Sequence, residues 1–150
     1  MKVILVLGGG GLVGKTIKDI DKPVNYKWVY ATSSDADLRD INQVRLLFEH
    51  VKPTFVIHIA ANVSGLFKDG KHDADMLVDN IRINTNVIDM CHEFNVHRGI
   101  FCLSTYIFPE KVSIPINENV VHDGTPNNLT SGYAYAKRYL DILCTAYNEH

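Results

Sequence analysis

An open, doubly wound parallel α/β sheet of about four strands is the fold this 150-residue sequence predicts. Three observations carry that expectation. Short continuous apolar runs, of the kind that form strands buried on both faces, alternate with longer stretches of helical spacing. The first run passes directly into four consecutive glycines, Gly8 to Gly11. Hydrophobic side chains make up 46% of the chain, enough for one domain over residues 1–150 that buries well over half of its unfolded surface.

Val3 to Leu7 is the first strand, apolar, β-branched and ended by glycine. Leu12 to about Ile20 has helical spacing, and Lys27 to Ala31, rich in aromatic and β-branched residues, gives a second strand. Asp40, with Gln43 three residues on, caps a helix carried by Leu46, Leu47 and Val51. Pro53 resets the chain before a third strand, Thr54 to Ala60. A long helix from Asp73 to about Phe94, a fourth strand from Gly99 to Leu103 and a last helix near Tyr133 complete the pattern. The simplest strand order for such a chain is 3-2-1-4. Thr105 to Ser131, with Pro109, Pro115, Gly124 and Pro126, is too polar and broken for a regular element. It reads either as a substrate-facing loop over the strands' carboxyl ends or as a disordered segment.

Fifteen Lys and Arg stand against seventeen Asp and Glu with no charge block, so nothing suggests a nucleic-acid partner. Val3 to Leu7 is too short for a membrane span or a signal sequence, and Cys91, Cys102 and Cys144 lie in apolar contexts typical of reduced, buried thiols. Together these predict a soluble, cytoplasmic protein without membrane attachment. The histidines are scattered, and Cys91, His92 and His97 match no usual metal-ligand spacing.

The stretch Gly8-Gly9-Gly10-Gly11-Leu12-Val13-Gly14 between strand and helix satisfies more than one template. As Gly9-x-Gly11-x-x-Gly14 or Gly8-x-x-Gly11-x-x-Gly14 it supplies a tight turn, close approach to a pyrophosphate and close helix–strand packing, as in a Rossmann dinucleotide site. As Gly9-x-x-x-x-Gly14-Lys15-Thr16 it is formally a P-loop, which would make the chain a phosphotransferase. That chemistry needs a metal-holding carboxylate near another strand's end, and neither the third nor the fourth strand ends in one. Dinucleotide binding is therefore favoured. The acid that would hold an adenosine ribose is missing at Ala31-Thr32-Ser33-Ser34. Asp37 and Leu38 follow, where a carboxylate could reach the adenine or simply stand in a solvated loop.

Tyr133 and Lys137, four apart on a helix, project from one face, and Ser104 lies just past the fourth strand. The ammonium of Lys137 would stabilise a phenolate at Tyr133, letting it pass a proton to a carbonyl oxygen. Ser104 would donate a hydrogen bond to the same oxygen. Tyr135 points elsewhere on the helix. A non-catalytic dinucleotide-binding module is the competing class.

With Asp35-Ala-Asp-Leu38, His58-Ile-Ala-Ala61, Gly65-Leu-Phe67, Leu103-Ser104, Ile107-Phe-Pro109 and Gly132-Tyr-Ala-Tyr-Ala-Lys-Arg138 added to the glycine turn, the chain resembles the extended short-chain dehydrogenase/reductases. Within them it is similar to the epimerase/reductases of GDP-4-keto-6-deoxymannose. The resemblance implies NADP(H) as cofactor, with NAD compatible with the same turn, and that nucleotide sugar as substrate. It implies catalytic roles for Ser104, Tyr133 and Lys137. It also implies cofactor contacts from Gly8 to Gly14, Asp37, Leu38, Ala60, Ala61, Leu103, Ser104, Tyr133 and Lys137. The family's epimerisation uses a cysteine two residues after the serine, where this chain has Tyr106, and a histidine beyond the stretch matched here. Family chains are about twice as long, so the resemblance implies missing C-terminal strands and substrate domain. It also implies a homodimer or association with a completing C-terminal chain.

Overall fold

A computed structural model describes residues 1–63 and 73–149. Gly65-Leu-Phe67 lies outside the described residues. Four parallel strands form one sheet: β1 (Lys2–Leu7), β2 (Tyr26–Ala31), β3 (Phe55–His58) and β4 (Arg98–Phe101). The helices are α1 (Leu12–Asp19), α2 (Ile41–Val51), α3 (Asp73–Glu93) and α4 (Ser131–Asn148). Every predicted strand and helix is present, the third and fourth strands being shorter at their ends than expected.

The strand order is β2-β1-β3-β4, which corrects the expected 3-2-1-4. β3 pairs with β1, from Ile4 against Phe55 to Leu7 against His58, and β2 is left at an edge. The side chains explain this. Leu5, Val6 and Leu7 are fully buried and Val56 nearly so, so the two most apolar strands lie together at the centre. β2 carries the exposed Lys27, and its Trp28 and Tyr30 rings stack at 6.2 Å with Lys22 over both, a surface suited to an edge.

The chain divides into two compact units, Met1–Ala61 with Arg82–Cys102, and Asn62–Ile81 with the chain from Leu103 on. In the first, alternation along β1 turns Leu5 and Leu7 to one face, where they pack with Ala31, Val56, Val44 and Phe48 of α2, and Val87 and Met90 of α3. His58, fully buried at the end of β3, shares a hydrogen bond with Asn84 of α3. Asp40 caps α2 by accepting from Asn42 N–H, while Gln43 reaches past it to accept the N–H of Asp37.

The second unit is built around α4. Thr105 to Ser131 is neither a regular element nor featureless: three short 3₁₀ turns, Thr105–Ile107, Glu118–Val120 and Asn128–Thr130, punctuate it. Ser104, Asn117 and Asn127 each accept the N–H two residues on, which is why those turns start there.

The expectation of buried thiols is corrected. Cys102 is exposed just past the edge strand β4, and Cys91 and Cys144 are half-buried. Among the described residues no helix is long and apolar enough to cross a membrane, and no cluster of three or more His, Cys, Asp or Glu could hold a metal ion.

Candidate active site

The glycine turn lies at the carboxyl ends of β1 and β2, where Gly8 and Gly9 N–H groups both donate to Ala31 O. Its glycines have different jobs. Gly8 has φ of +95°, and a Cβ there would stand 2.8 Å from Ala60 N, so the turn and the end of β3 require glycine. A Cβ at Gly14 would meet Gly8 O at 2.5 Å and Gly9 Cα at 2.7 Å, so α1 packs on the turn only without a side chain. At Gly11 an added Cβ would have Gly8 O at 3.4 Å as its one near neighbour. Packing does not require glycine at Gly11, and its bareness leaves the turn open.

The turn leads into the N-terminus of α1, which has no side-chain cap and no acid in its first turn. The N–H groups and the positive dipole end of this helix are thus left for an external anion. Leu12 and Val13 are largely exposed beside them. This cradle suits a pyrophosphate, and Gly8, Gly11 and Gly14 are the residues that shape it. The P-loop alternative finds less support: Thr16, which would hold a metal, donates its hydroxyl to Leu12 O at 3.0 Å.

Past β2, the Asp35 carboxylate accepts from both the amide and the hydroxyl of Thr32, bonds that lower its pKa. Asp37 is held in a bidentate pair by Arg39, with its pKa lowered to about 2 chiefly by that side-chain hydrogen bond. Leu38 packs against the core, and its carbonyl accepts from Asn86 of α3. Ala60 is the member of the expected cofactor set that the structure brings against the glycine turn, Ala61 being half-buried beside it in sequence. Asp37 and Leu38 sit on the loop after β2.

In the second unit Tyr133 and Lys137 lie at the start of α4, and Ser104 precedes the 3₁₀ turn that Arg138 ties to it. Lys137 is buried, 2% exposed, with its Nζ 5.9 Å from the centre of the half-buried Tyr133 ring. Tyr135 is 44% exposed with Arg138 over its ring, and Tyr133 is the more buried of the two. Ser104 is half-buried and caps the first 3₁₀ turn, its Oγ accepting the Tyr106 amide at 3.3 Å. Leu103, just before it, is 37% exposed.

Sequence reasoning missed the residues that hold this arrangement. Asp73, at the start of α3, accepts from Gly132 N–H at 2.7 Å and from the Ser131 hydroxyl at 2.9 Å, capping α4 in place of Thr130. Arg138, 6% exposed, donates to the carbonyls of Ile107 and Gly124, both at 2.7 Å, and so ties the Ser104 turn and the following loop to α4. Asn80, also buried, clamps Asn62 through both its amide N–H and its carbonyl. Polar residues on otherwise apolar helix faces were the available signal, but the partners lie up to 59 residues away.

Residues 4–150 match the model of the NAD dependent epimerase/dehydratase family. The chain belongs to that family. Among curated relatives it is 49% identical to the GDP-L-fucose synthase of Dictyostelium discoideum, covering 99% of this chain and 47% of the relative. It is 45% identical to the probable GDP-L-fucose synthase of Drosophila melanogaster, again covering 99% of this chain and 47% of the relative. The crystal structure of a GDP-L-fucose synthetase from Naegleria fowleri bound to NADP superposes with a TM-score of 0.91 at 45% identity, covering 99% of this chain and 45% of that one. The chain thus spans about half the length of the family members it matches.

Proposed function

We propose that this chain binds NADP(H) at the glycine turn and carries the reducing chemistry of a GDP-L-fucose synthase, acting on the 4-keto group of GDP-4-keto-6-deoxymannose. The observation that carries this is the buried Lys137 ammonium over the Tyr133 ring on the helix that packs against the Ser104 turn. The close GDP-L-fucose synthase relatives and the NADP-bound neighbour support it. When bound, the nicotinamide supplies hydride to a carbonyl carbon. The chain's own residues handle the oxygen. Tyr133 passes its phenolic proton to it, Lys137 stabilises the charge left on the phenol, and Ser104 donates a hydrogen bond to the same atom. Leu12, Val13, Asp37, Leu38, Ala60, Ala61 and Leu103 would complete the cofactor's surroundings. With Tyr106 where the epimerising cysteine is expected, reduction is the better supported half of the chemistry.

Tyr133→Phe should lower turnover on the order of a hundredfold or more while NADPH affinity stays within a few-fold, since only the proton donor is removed. Undiminished turnover by that variant would sink the assignment. NADPH binding without turnover by the unsubstituted protein would leave a binding module instead.

A further inference from the structure

We propose that the Tyr106 ring is a positioning group for Tyr133, carried on a backbone amide that holds Ser104; the proposal rests on the catalytic roles just given to those two residues. Tyr106 touches each of them by a different part of itself. Its backbone N–H donates to Ser104 Oγ at 3.3 Å. A hydroxyl that accepts from a fixed amide has its own proton directed elsewhere, so Ser104 is oriented as a donor. Its ring meets the Tyr133 ring edge to face, with centroids 6.4 Å apart and planes at 79°, the arrangement aromatic quadrupoles favour.

The backbone under Tyr106 is itself fixed. Ile107 is buried at 4% exposure and its carbonyl is gripped by Arg138 of α4, so the turn cannot drift from the helix that carries Tyr133 and Lys137. Tyr106, by contrast, is 40% exposed, too open for its ring to be held there as core filling. Tyr133 is therefore steadied by Lys137 over its ring and by the Tyr106 ring against it. Removal of the second takes away one of the contacts that hold the phenol beside the ammonium.

The test labels tyrosine Cζ with carbon-13 and follows the ionisation of Tyr133, its signal identified by its loss in Tyr133→Phe. Tyr106→Ala and Tyr106→Leu should each shift the Tyr133 ionisation, and Tyr106→Phe should leave it in place. In turnover, Ala and Leu should lower kcat about three- to tenfold, the worth of such a ring pair, with KM little changed, and Phe should restore it. Retention of both the Tyr133 ionisation and kcat in Tyr106→Ala and Tyr106→Leu would overturn the proposal. So would a Tyr106→Phe protein as impaired as Tyr106→Ala, because the hydroxyl rather than the ring would then be at work. Lys137→Met separates the two levels of the argument. If it leaves the Tyr133 ionisation unmoved, the proposed Tyr133 and Lys137 chemistry fails; if it moves that ionisation while the Tyr106 variants do not, only the role of Tyr106 fails.

Discussion

Gly11 and Gly14 are three residues apart in one turn, yet their replacement should have opposite consequences. Gly14→Ala forces a Cβ to within 2.5 Å of Gly8 O and 2.7 Å of Gly9 Cα, with backbone on both sides and nothing flexible to give way. We expect it to destabilise the protein by about 1–3 kcal/mol, the usual cost of overpacking, seen as a lower Tm. Gly11→Val puts its Cβ in ordinary contact with Gly8 O alone, so the protein should fold normally and lose NADPH binding, because the side chain fills the place a pyrophosphate would take. A folded Gly11→Val protein with unchanged NADPH affinity in calorimetry would remove the turn from the cofactor site. A second residue-scale prediction concerns acid. Asp37 has its pKa lowered to about 2 from 3.8, chiefly by the Arg39 hydrogen bond. A group depressed in the folded state contributes stability that is fully present above the unfolded value. That contribution is lost as pH falls through the range between those two values. Since the pair is well exposed, its worth is small, about 0–1 kcal/mol. Asp37→Asn should therefore flatten the acid limb of a stability–pH curve slightly between about pH 4 and pH 2 and leave neutral pH almost unchanged apart from that small loss. An equal dependence on pH in both proteins would show that the pair does not form in solution.

At the scale of elements, α4 is the helix on which the proposed chemistry depends, and its N-terminus is capped from a distance. Thr130 stands at the N-cap position but makes no side-chain cap bond, and Asp73 supplies the acceptor to Gly132 N–H. Asp73→Ala should cost about 0.5–2 kcal/mol, the range for loss of a helix cap, and should raise amide exchange at Gly132 and its neighbours. Unchanged exchange there would mean that α4 is held without Asp73. This cap also marks the boundary of what could be read from sequence. The strands were legible because Val3 to Leu7 is a continuous apolar run and Thr54 to Ala60 a largely apolar one. The Tyr133 and Lys137 pairing was legible because four residues is a helical repeat, a purely local relation. The order of the strands was not, since it depends on which apolar edge β1 offers to β3, a matter of relative burial rather than of spacing. The same holds for Arg138 on Ile107 and Asp73 on Gly132, contacts closed across 31 and 59 residues. The single-residue meaning of the glycines also needed coordinates. The positive φ at Gly8, the close approach of Tyr30 to Gly9, the backbone packed on Gly14 and the ordinary contact at Gly11 separate the roles of the glycines.

At the scale of the whole molecule, β4 is an apolar edge of the sheet among the described residues. β4 pairs with β3 on one side, and no described strand lies on its other side. Ile100, in register with Ile57, is 58% exposed, and Leu103 just beyond the strand is 37% exposed. β2, the opposite edge, is protected in the way edges usually are, with Lys27 on the strand and Lys22 over its aromatic rings. β4 carries Arg98 at its start, but its middle has no described strand on its outer side and an exposed isoleucine beside it, a template for pairing with another chain. The 150-residue chain by itself should therefore self-associate in a concentration-dependent way. Ile100→Lys should suppress that association by placing a charge where a second strand would dock, while the side chain's exposure leaves the fold intact. Sedimentation velocity on the two proteins across a wide concentration range decides the matter. A monomer at every concentration in the unsubstituted chain would show that the β4 edge is not sticky. Association that survives Ile100→Lys unchanged would place the contact elsewhere, on a surface other than this strand.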